Sequence, residues 1–207
     1  MADKLALYRE ALRHLGAERL ASLTENRPER VTLDDVWTSA VLFVLTKASW
    51  NFASRTVEIT YDEDIAAMFG YDYGFTKPDD CLRVTGLSLD GTFNDGFEQF
   101  KDENGIIYAN IESFHLQYVS SDENYGLNLG MWPEPFSKAI AAYLAYESGL
   151  PISGDRGTRS DMFQLYQKLL RDAKAIDASE DRVRRTPPGR LVRSRFRGNV
   201  NDTDRGL

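Results

Sequence analysis

The spacing of apolar residues changes twice along this chain, and each change limits the folds it can adopt. Residues 3–15, 33–52, 133–148 and 159–179 carry apolar side chains at the i, i+3, i+4 spacing of an amphipathic helix. Residues 55–120 instead alternate apolar and polar positions, which predicts β-strands. We therefore predict an α+β protein: a four-helix bundle with an inserted antiparallel β-rich domain and an extended C-terminal arm.

Capping residues predict where the helices begin and end. Gly16 is expected to end the first helix. Thr32, with Asp35 three residues later, resembles a capping box at the start of the second helix. Gly149 and Pro151 are expected to end the third helix. For the fourth helix, we expect the cap to be one of two hydroxyl residues, Thr158 or Ser160.

The central region predicts four or five strands. Residues 55–61, 81–89 and 113–120 alternate, and residues 97–111 contain an Asn-Gly pair between two apolar runs, which is a strong hairpin signal. Residues 70–80, "GYDYGFTKPDD", look like an aromatic, glycine-rich loop. Residues 61–69, "YDEDIAAMF", look like the start of a short helix with acidic residues in its first turn.

Charge divides the chain into a body and a tail. Residues 181–207 contain eight arginines and three aspartates, a net charge of +5, whereas the other 180 residues contain 17 basic and 29 acidic groups, a net charge of −12. The tail has no hydrophobic period and contains a Pro-Pro step, so it is not expected to fold alone. We predict bundle residues at 1–54 and 125–180, a β-rich insertion at 55–124, and an arm at 181–207 that orders on a partner.

The arm supplies the candidate partner-binding residues. Arginine makes planar, bidentate contacts with carboxylates or phosphates, and apolar side chains among the arginines suit a surface. The predicted contacts are Arg182, Arg184, Arg185, Arg190, Leu191, Val192, Arg193, Arg195, Phe196 and Arg197. Both an acidic groove on a protein and a nucleic acid fit this chemistry.

The remaining chemistry-bearing residues do not form a recognisable catalytic motif. His14 and His115 lie on different predicted elements, and the acidic runs at 62–64 and 79–80 match no metal-binding spacing. Residues 154–160, "GDRGTRS", lack the lysine of a phosphate-binding loop. We expect no enzyme, no metal, no cofactor and no membrane span. The rival reading is a hydrolase that depends on His115 or on Asp79 with Asp80.

Several segments, in order along residues 5–180, resemble one known family. They are "ALRHLGAERLASLTENRPERVTLDDVW", "ASWNFASRTVEI", "KPDDCLRV", "MWPEPFSKAIAAYLAYESGLPISGD" and "YQKLLRDAKAIDASE". Together they resemble the head-to-tail adaptor family of short-tailed bacteriophages, also called tail tubular protein A. The resemblance lies in the general pattern of these segments, and the β-rich region departs from the family most.

The resemblance implies a virion structural protein without catalytic activity, made in the host cytoplasm. Twelve copies would form a ring at the head–tail junction, beneath the portal protein, and extend the DNA channel. The arm would bind the portal, and the β-rich region would face the tail nozzle or tail tube protein and, in some members, tail fibres. It also implies that Trp37, Trp50 and Phe52 are core residues. The alternative, from the residues alone, is a nucleic-acid-binding module that uses the basic arm.

Overall fold

The computed structural model describes residues 3–93, 97 and 99–180, which form four α-helices and six strands. The helices are α1 (Lys4–His14), α2 (Pro28–Leu45), α3 (Glu134–Ser153) and α4 (Arg156–Glu180). The strands are β1 (Ser54–Thr60), β2 (Tyr73–Thr76), β3 (Cys81–Ser88), β4 (Phe100–Glu103), β5 (Ile106–Ala109) and β6 (Ser113–Ser120). The predicted α+β class is confirmed. None of the described helices combines the length and the apolarity needed to cross a membrane.

Helix α3 is the centre of the helical core. It packs against α1, α2 and α4, and its apolar face is shared with all three. The predicted inner face is confirmed, because each of its residues is buried: Phe136, Ala139, Ile140, Tyr143 and Leu144. At about 1.5–3 kcal/mol for each large apolar side chain removed from water, this face makes a major contribution to holding the helices together.

Helix α2 begins and ends earlier than predicted. It starts at Pro28, and the Thr32 hydroxyl donates to the Pro28 carbonyl (3.0 Å) from inside the helix, so Thr32 is not a cap. Proline suits this first turn because its fixed φ is helical and its missing N–H would have no partner there. The helix ends at Leu45 rather than at 52, and residues 46–50 form the crossover to a short 3₁₀ turn and β1.

The junction of α3 with α4 also differs from the prediction. Helix α3 continues through Gly149 and Pro151 and ends at Ser153. Gly154 caps it, because its φ of 68° suits glycine and its N–H donates to the Leu150 carbonyl (3.0 Å). The side chain of Asp155 accepts the N–H groups of two residues in the first turn of α4, at 3.0 and 2.8 Å. The cap of α4 is therefore Asp155, and neither Thr158 nor Ser160 has that role.

The strands form two antiparallel three-stranded sheets, in the orders β1-β6-β3 and β2-β5-β4. The sheets pack face to face around a second apolar core, in which the rings of Phe75 and Phe114 are 4.6 Å apart. The predicted hairpin is confirmed: Asn104 and Gly105, both with positive φ, join β4 to β5. Strand β2 falls within the predicted loop, so the described residues contain six strands rather than four or five.

Residues 61–69 form a turn-rich loop rather than the start of a helix. The side chain of Ile65 lies directly over Gly74 of β2, where an added Cβ would come within 2.3 Å of Ile65 Cγ2. The Asp62 carboxylate accepts the Asp64 N–H (3.1 Å) and the Thr76 hydroxyl (3.0 Å) instead of capping a helix. Packing of the loop on the sheet thus overrides the local helical signal.

Strand β6 connects the two cores. Its side chains alternate, so Leu116 and Tyr118 belong to the core between the sheets whereas Val119 belongs to the helical core. The start of β1 and the end of β6 therefore lie against the helices, and the far end of β1 points away from them.

Candidate partner-binding site at the end of helix α4

All of the predicted partner-binding residues, Arg182 to Arg197, lie outside the described residues. The structure does describe the region that leads up to residue 181. This is the arm root, which we define as the last two turns of α4, residues 173–180, together with Trp50 and Asn51 of the crossover between α2 and β1.

Two residues far apart in sequence fix the end of α4 to the segment that leads from α2 into β1. The Asn51 N–H donates to both carboxylate oxygens of Asp177 (3.1 and 3.3 Å), and Asn51 Nδ2 donates to the Asp177 carbonyl (2.9 Å). Asp177 is only 8% exposed, so these hydrogen bonds are largely shielded from water. The last turn of α4 is thereby held to the point where the chain passes from helix to sheet.

An aromatic cluster supports the same crossover. Trp50 is 1% exposed, its indole N–H donates to the Val44 carbonyl (3.2 Å), and its ring meets that of Phe136 edge-on at 4.9 Å. Phe52 packs on Phe136 as well, at 4.7 Å. The implied core positions of Trp50 and Phe52 agree with this packing, and Trp37 also packs against the helical core.

The surface of the arm root is a small groove with both apolar and acidic parts. Its lining residues are Trp50, Pro133, Pro135, Phe136, Ala173, Ile176, Asp177 and Glu180. Ile176 is 45% exposed, although it belongs to the apolar spacing that predicted a helix at residues 159–179. The surface at the end of α4 therefore includes an exposed apolar side chain and two carboxylates.

A second polar cluster, around Asp80, holds three strands together. The Asp80 carboxylate accepts the hydroxyls of Tyr118 (3.0 Å) and Ser120 and the guanidinium of Arg55 (3.0 Å). Burial alone would raise the pKa of Asp80, but the hydrogen bonds from Ser120, Arg55 and Tyr118 outweigh it and hold the pKa below its ordinary value. Burial, and then the neighbouring carboxylate, raise the pKa of Tyr118.

A third cluster joins α1 to α2 through Asp34. Its carboxylate accepts the Tyr8 hydroxyl (2.8 Å) and is paired with Lys4 (2.9 Å) and Arg30. Burial tends to raise the pKa of Asp34, but the hydrogen bonds from Lys4 and Tyr8 outweigh burial and hold the pKa below its ordinary value. Both this cluster and the Asp80 cluster are saturated with donors, as expected for structural carboxylates.

The groups of the rival hydrolase reading do not come together. Asp79 is exposed, whereas Asp80 is bound to three donors. His115 is paired with Glu58 and Ser88 in the sheet. Ser120, which binds Asp80, is five steps further along β6, and this is about 17 Å at the usual rise of a strand. Among the described residues, no three His, Cys, Asp or Glu side chains are grouped to hold a metal.

Sequence reasoning did not identify Asn51, Asp80 or Asp177 as residues that organise the structure. Asp177 carried a signal, because it falls four residues after Ala173 on the apolar face of α4, where a carboxylate needs a buried partner. Asn51 carried no sequence signal of this role beyond its position between two aromatic residues. Comparison of the sequence with models of known protein families found no match, and comparison with curated proteins found none either.

Proposed function

We propose that the protein is a structural head-to-tail adaptor of a short-tailed bacteriophage. It would form a ring of twelve copies beneath the portal, join the portal to the tail nozzle or tail tube protein, and extend the DNA channel. Tail fibres are a further partner in this proposal. The protein has no catalytic role here, and it is made in the host cytoplasm and incorporated into the virion.

The main support is the family resemblance of residues 5–180 together with the position of the basic tail. In the proposed architecture, α1 to α4 form a four-helix bundle, the six strands form a domain inserted between α2 and α3, and residues 181–207 form the arm. The arm root supports this reading because Asp177 and Asn51 fix the start of the arm to the junction of helices and sheets. A firmly anchored start lets a docked arm hold the whole body in place.

The charge distribution supports the proposed partner. The arm carries a net charge of +5 and the rest of the chain −12, so the body does not favour binding the DNA that passes beside it. Exposed ion pairs contribute only about 0–1 kcal/mol each, and a single arm would therefore hold weakly. Repeated arms around a ring would bind strongly through their high effective concentration.

A pull-down with the portal protein tests the proposal. We expect the full chain to be retained and a chain lacking residues 181–207 to be lost. A matched variant with Arg193, Arg195 and Arg197 all changed to Lys keeps the charge but loses bidentate contacts, so its retention should be intermediate. Retention of the truncated chain at the full level would show that the arm is not the portal-binding element.

The eight arginines also keep the nucleic-acid-binding module as a second candidate. That function predicts binding of nonspecific duplex DNA. The logarithm of the binding constant should fall by several units for each tenfold increase in salt concentration. The adaptor function predicts little DNA binding by the isolated chain. Filter binding at several salt concentrations, with and without residues 181–207, separates the two.

A further inference from the structure

Three cations lie together where α2, β3 and α4 approach one another. Arg83 Nη1 lies 3.4 Å from the Thr46 carbonyl, just past the end of α2, and Lys47 follows Thr46 directly. Burial, and then the positive charges of Lys47 and Arg83, lower the pKa of Lys174. Within the described part of the chain, none of these three cations pairs with a carboxylate.

An exposed aromatic ring borders these cations. Phe43 is 40% exposed, and Lys47 Nζ lies 3.6 Å from the centre of its ring. Phe43 also stacks on Tyr143, with ring centres 4.9 Å apart, and this contact holds the ring in position. We call Phe43, Lys47, Arg83 and Lys174 the basic patch. Its chemistry suits an acidic segment that also carries apolar side chains.

The loop at residues 61–69 has the complementary chemistry. Glu63 and Asp64 are exposed, and Met68 and Phe69 are each 48% exposed. Phe69 has a φ of +58°, which is uncommon for an aromatic residue, and Lys101 Nζ lies 3.3 Å from the centre of its ring. We call residues 61–69 the acidic loop. It presents two carboxylates and two large apolar side chains from one loop.

The basic patch and the acidic loop lie at opposite ends of one sheet. Arg83 and Ser54 both pair with Val119 at the end beside the helices, whereas the acidic loop follows Thr60 at the other end of β1. Six residues of strand separate Ser54 from Thr60, which is about 20 Å. The two surfaces therefore do not meet within one chain, and they can meet only between two copies.

We propose that the basic patch of one copy binds the acidic loop of the next copy. Because the two surfaces differ, the contact is heterologous: a bound pair keeps one free patch and one free loop, and further copies add until a ring closes. Closure at twelve copies rests on the proposed adaptor function, but the contact itself does not. Three cations in an acidic body are few for a nucleic-acid site, which favours a protein partner.

Sedimentation velocity of the full chain at increasing concentration and low salt tests the contact. We expect weak association that falls as salt is added, because exposed pairs are screened. Reversing the patch (Arg83→Glu with Lys174→Glu) or the loop (Glu63→Lys with Asp64→Lys) should weaken association about tenfold or more, from the loss of two pairs at about 1 kcal/mol each. A mixture of the two reversed variants should associate again, because both contacts become complementary.

A matched control makes the same change in charge elsewhere on α4, the helix that carries Lys174. Arg156 and Lys168 are exposed on α4 and lie six or more residues from Lys174, and changing both to Glu should leave association at the wild-type level. Thermal unfolding of all variants confirms that each is folded. Asp62 is left unchanged because its carboxylate holds the loop together.

Three results would overturn the proposed contact. They are no association of the wild-type chain, equal loss in the Arg156 and Lys168 control, and no recovery in the mixture. Loss of duplex DNA binding on reversing the basic patch, with association unchanged, would assign the patch to nucleic acid. The portal pull-down reports separately on the adaptor function, because it depends on residues 181–207 and not on either surface.

Discussion

Replacing Asp80 with alanine should destabilise the protein far more than replacing its neighbour Asp79. Asp80 accepts hydrogen bonds from Tyr118, Ser120 and Arg55 and so ties β1, β3 and β6 together at their helical end. Asp79 is exposed and follows Pro78 in the same loop. The pair is therefore a matched comparison of two carboxylates that are adjacent in sequence.

The expected size of the effect follows from burial. Tyr118 and Ser120 are fully buried, so each hydroxyl left without an acceptor costs about 1–3 kcal/mol. Arg55 has a side chain that is one third exposed and can be rehydrated, so its pair contributes only about 0–1 kcal/mol. We expect Asp80→Ala to lower the free energy of unfolding by about 3–5 kcal/mol, and Asp79→Ala to change it by less than about 0.5 kcal/mol.

Urea unfolding followed by circular dichroism at neutral pH measures both changes. For a chain of this length, about 3–5 kcal/mol corresponds to a fall in Tm of roughly 6–20 °C, which calorimetry would detect independently. If Asp80→Ala unfolds at the same urea concentration as Asp79→Ala, the carboxylate is not the organising group of these strands. Tyr118→Phe gives a further check, since it removes only one of the three donors.

The lowered pKa of Asp80 gives the sign of a pH test. The pKa of Asp80 is lower in the folded state than in the unfolded state, where it is about 4. The ionised carboxylate therefore stabilises the folded state at pH values above about 4, and this stabilisation is lost as the pH falls through the folded-state pKa. The gap in stability between the wild type and Asp80→Asn should therefore narrow below about pH 4. A gap that stays constant from neutral to acid pH would contradict a charged Asp80.

Three further changes test other parts of the structure. Asp177→Ala should lower the free energy of unfolding by about 1–3 kcal/mol, with faster hydrogen exchange at the Asn51 amide, whereas the exposed Ser179→Ala should change little. Gly154→Ala should cost about 1 kcal/mol in urea unfolding because its φ is 68°, and Gly154→Asn should cost less. Burial lowers the pKa of His14, so the wild type should lose stability as pH falls below about 6.5, and Tm of His14→Gln should lack that dependence.

Local signals in the sequence identified the helical faces and the tightest turn. The inner face of α3 was predicted correctly, because side chains at i, i+3 and i+4 are neighbours on a helix whatever else surrounds it. The Asn104–Gly105 hairpin was also predicted correctly, because its two residues adopt positive φ more readily than others. The end of α1 is consistent with Gly16, which has a φ of 66°. The arm and the boundaries of the proposed domains stay predictions.

Signals failed where a distant segment decided the outcome. The helix predicted at residues 61–69 is absent because Ile65 packs over Gly74. Gly74 belongs to β2, so this contact depends on residues outside the loop. Strand β2 was missed because a four-residue run with a glycine shows little alternation, and it becomes a strand through pairing with β5. Helix α2 starts at Pro28 rather than after Thr32, because proline favours the first turn of a helix more strongly than Thr32 favours a cap.

The sequence by itself determined the α+β class, the buried face of α3 and the separation of a basic tail from an acidic body. Only the tertiary structure decided that Asn51 meets Asp177 across 126 residues, that Asp80 gathers three donors, and that the basic patch and the acidic loop lie at opposite ends of one sheet. The reason is physical. Periodicity is a property of neighbouring residues, whereas a hydrogen bond between distant segments depends on how the whole chain is packed.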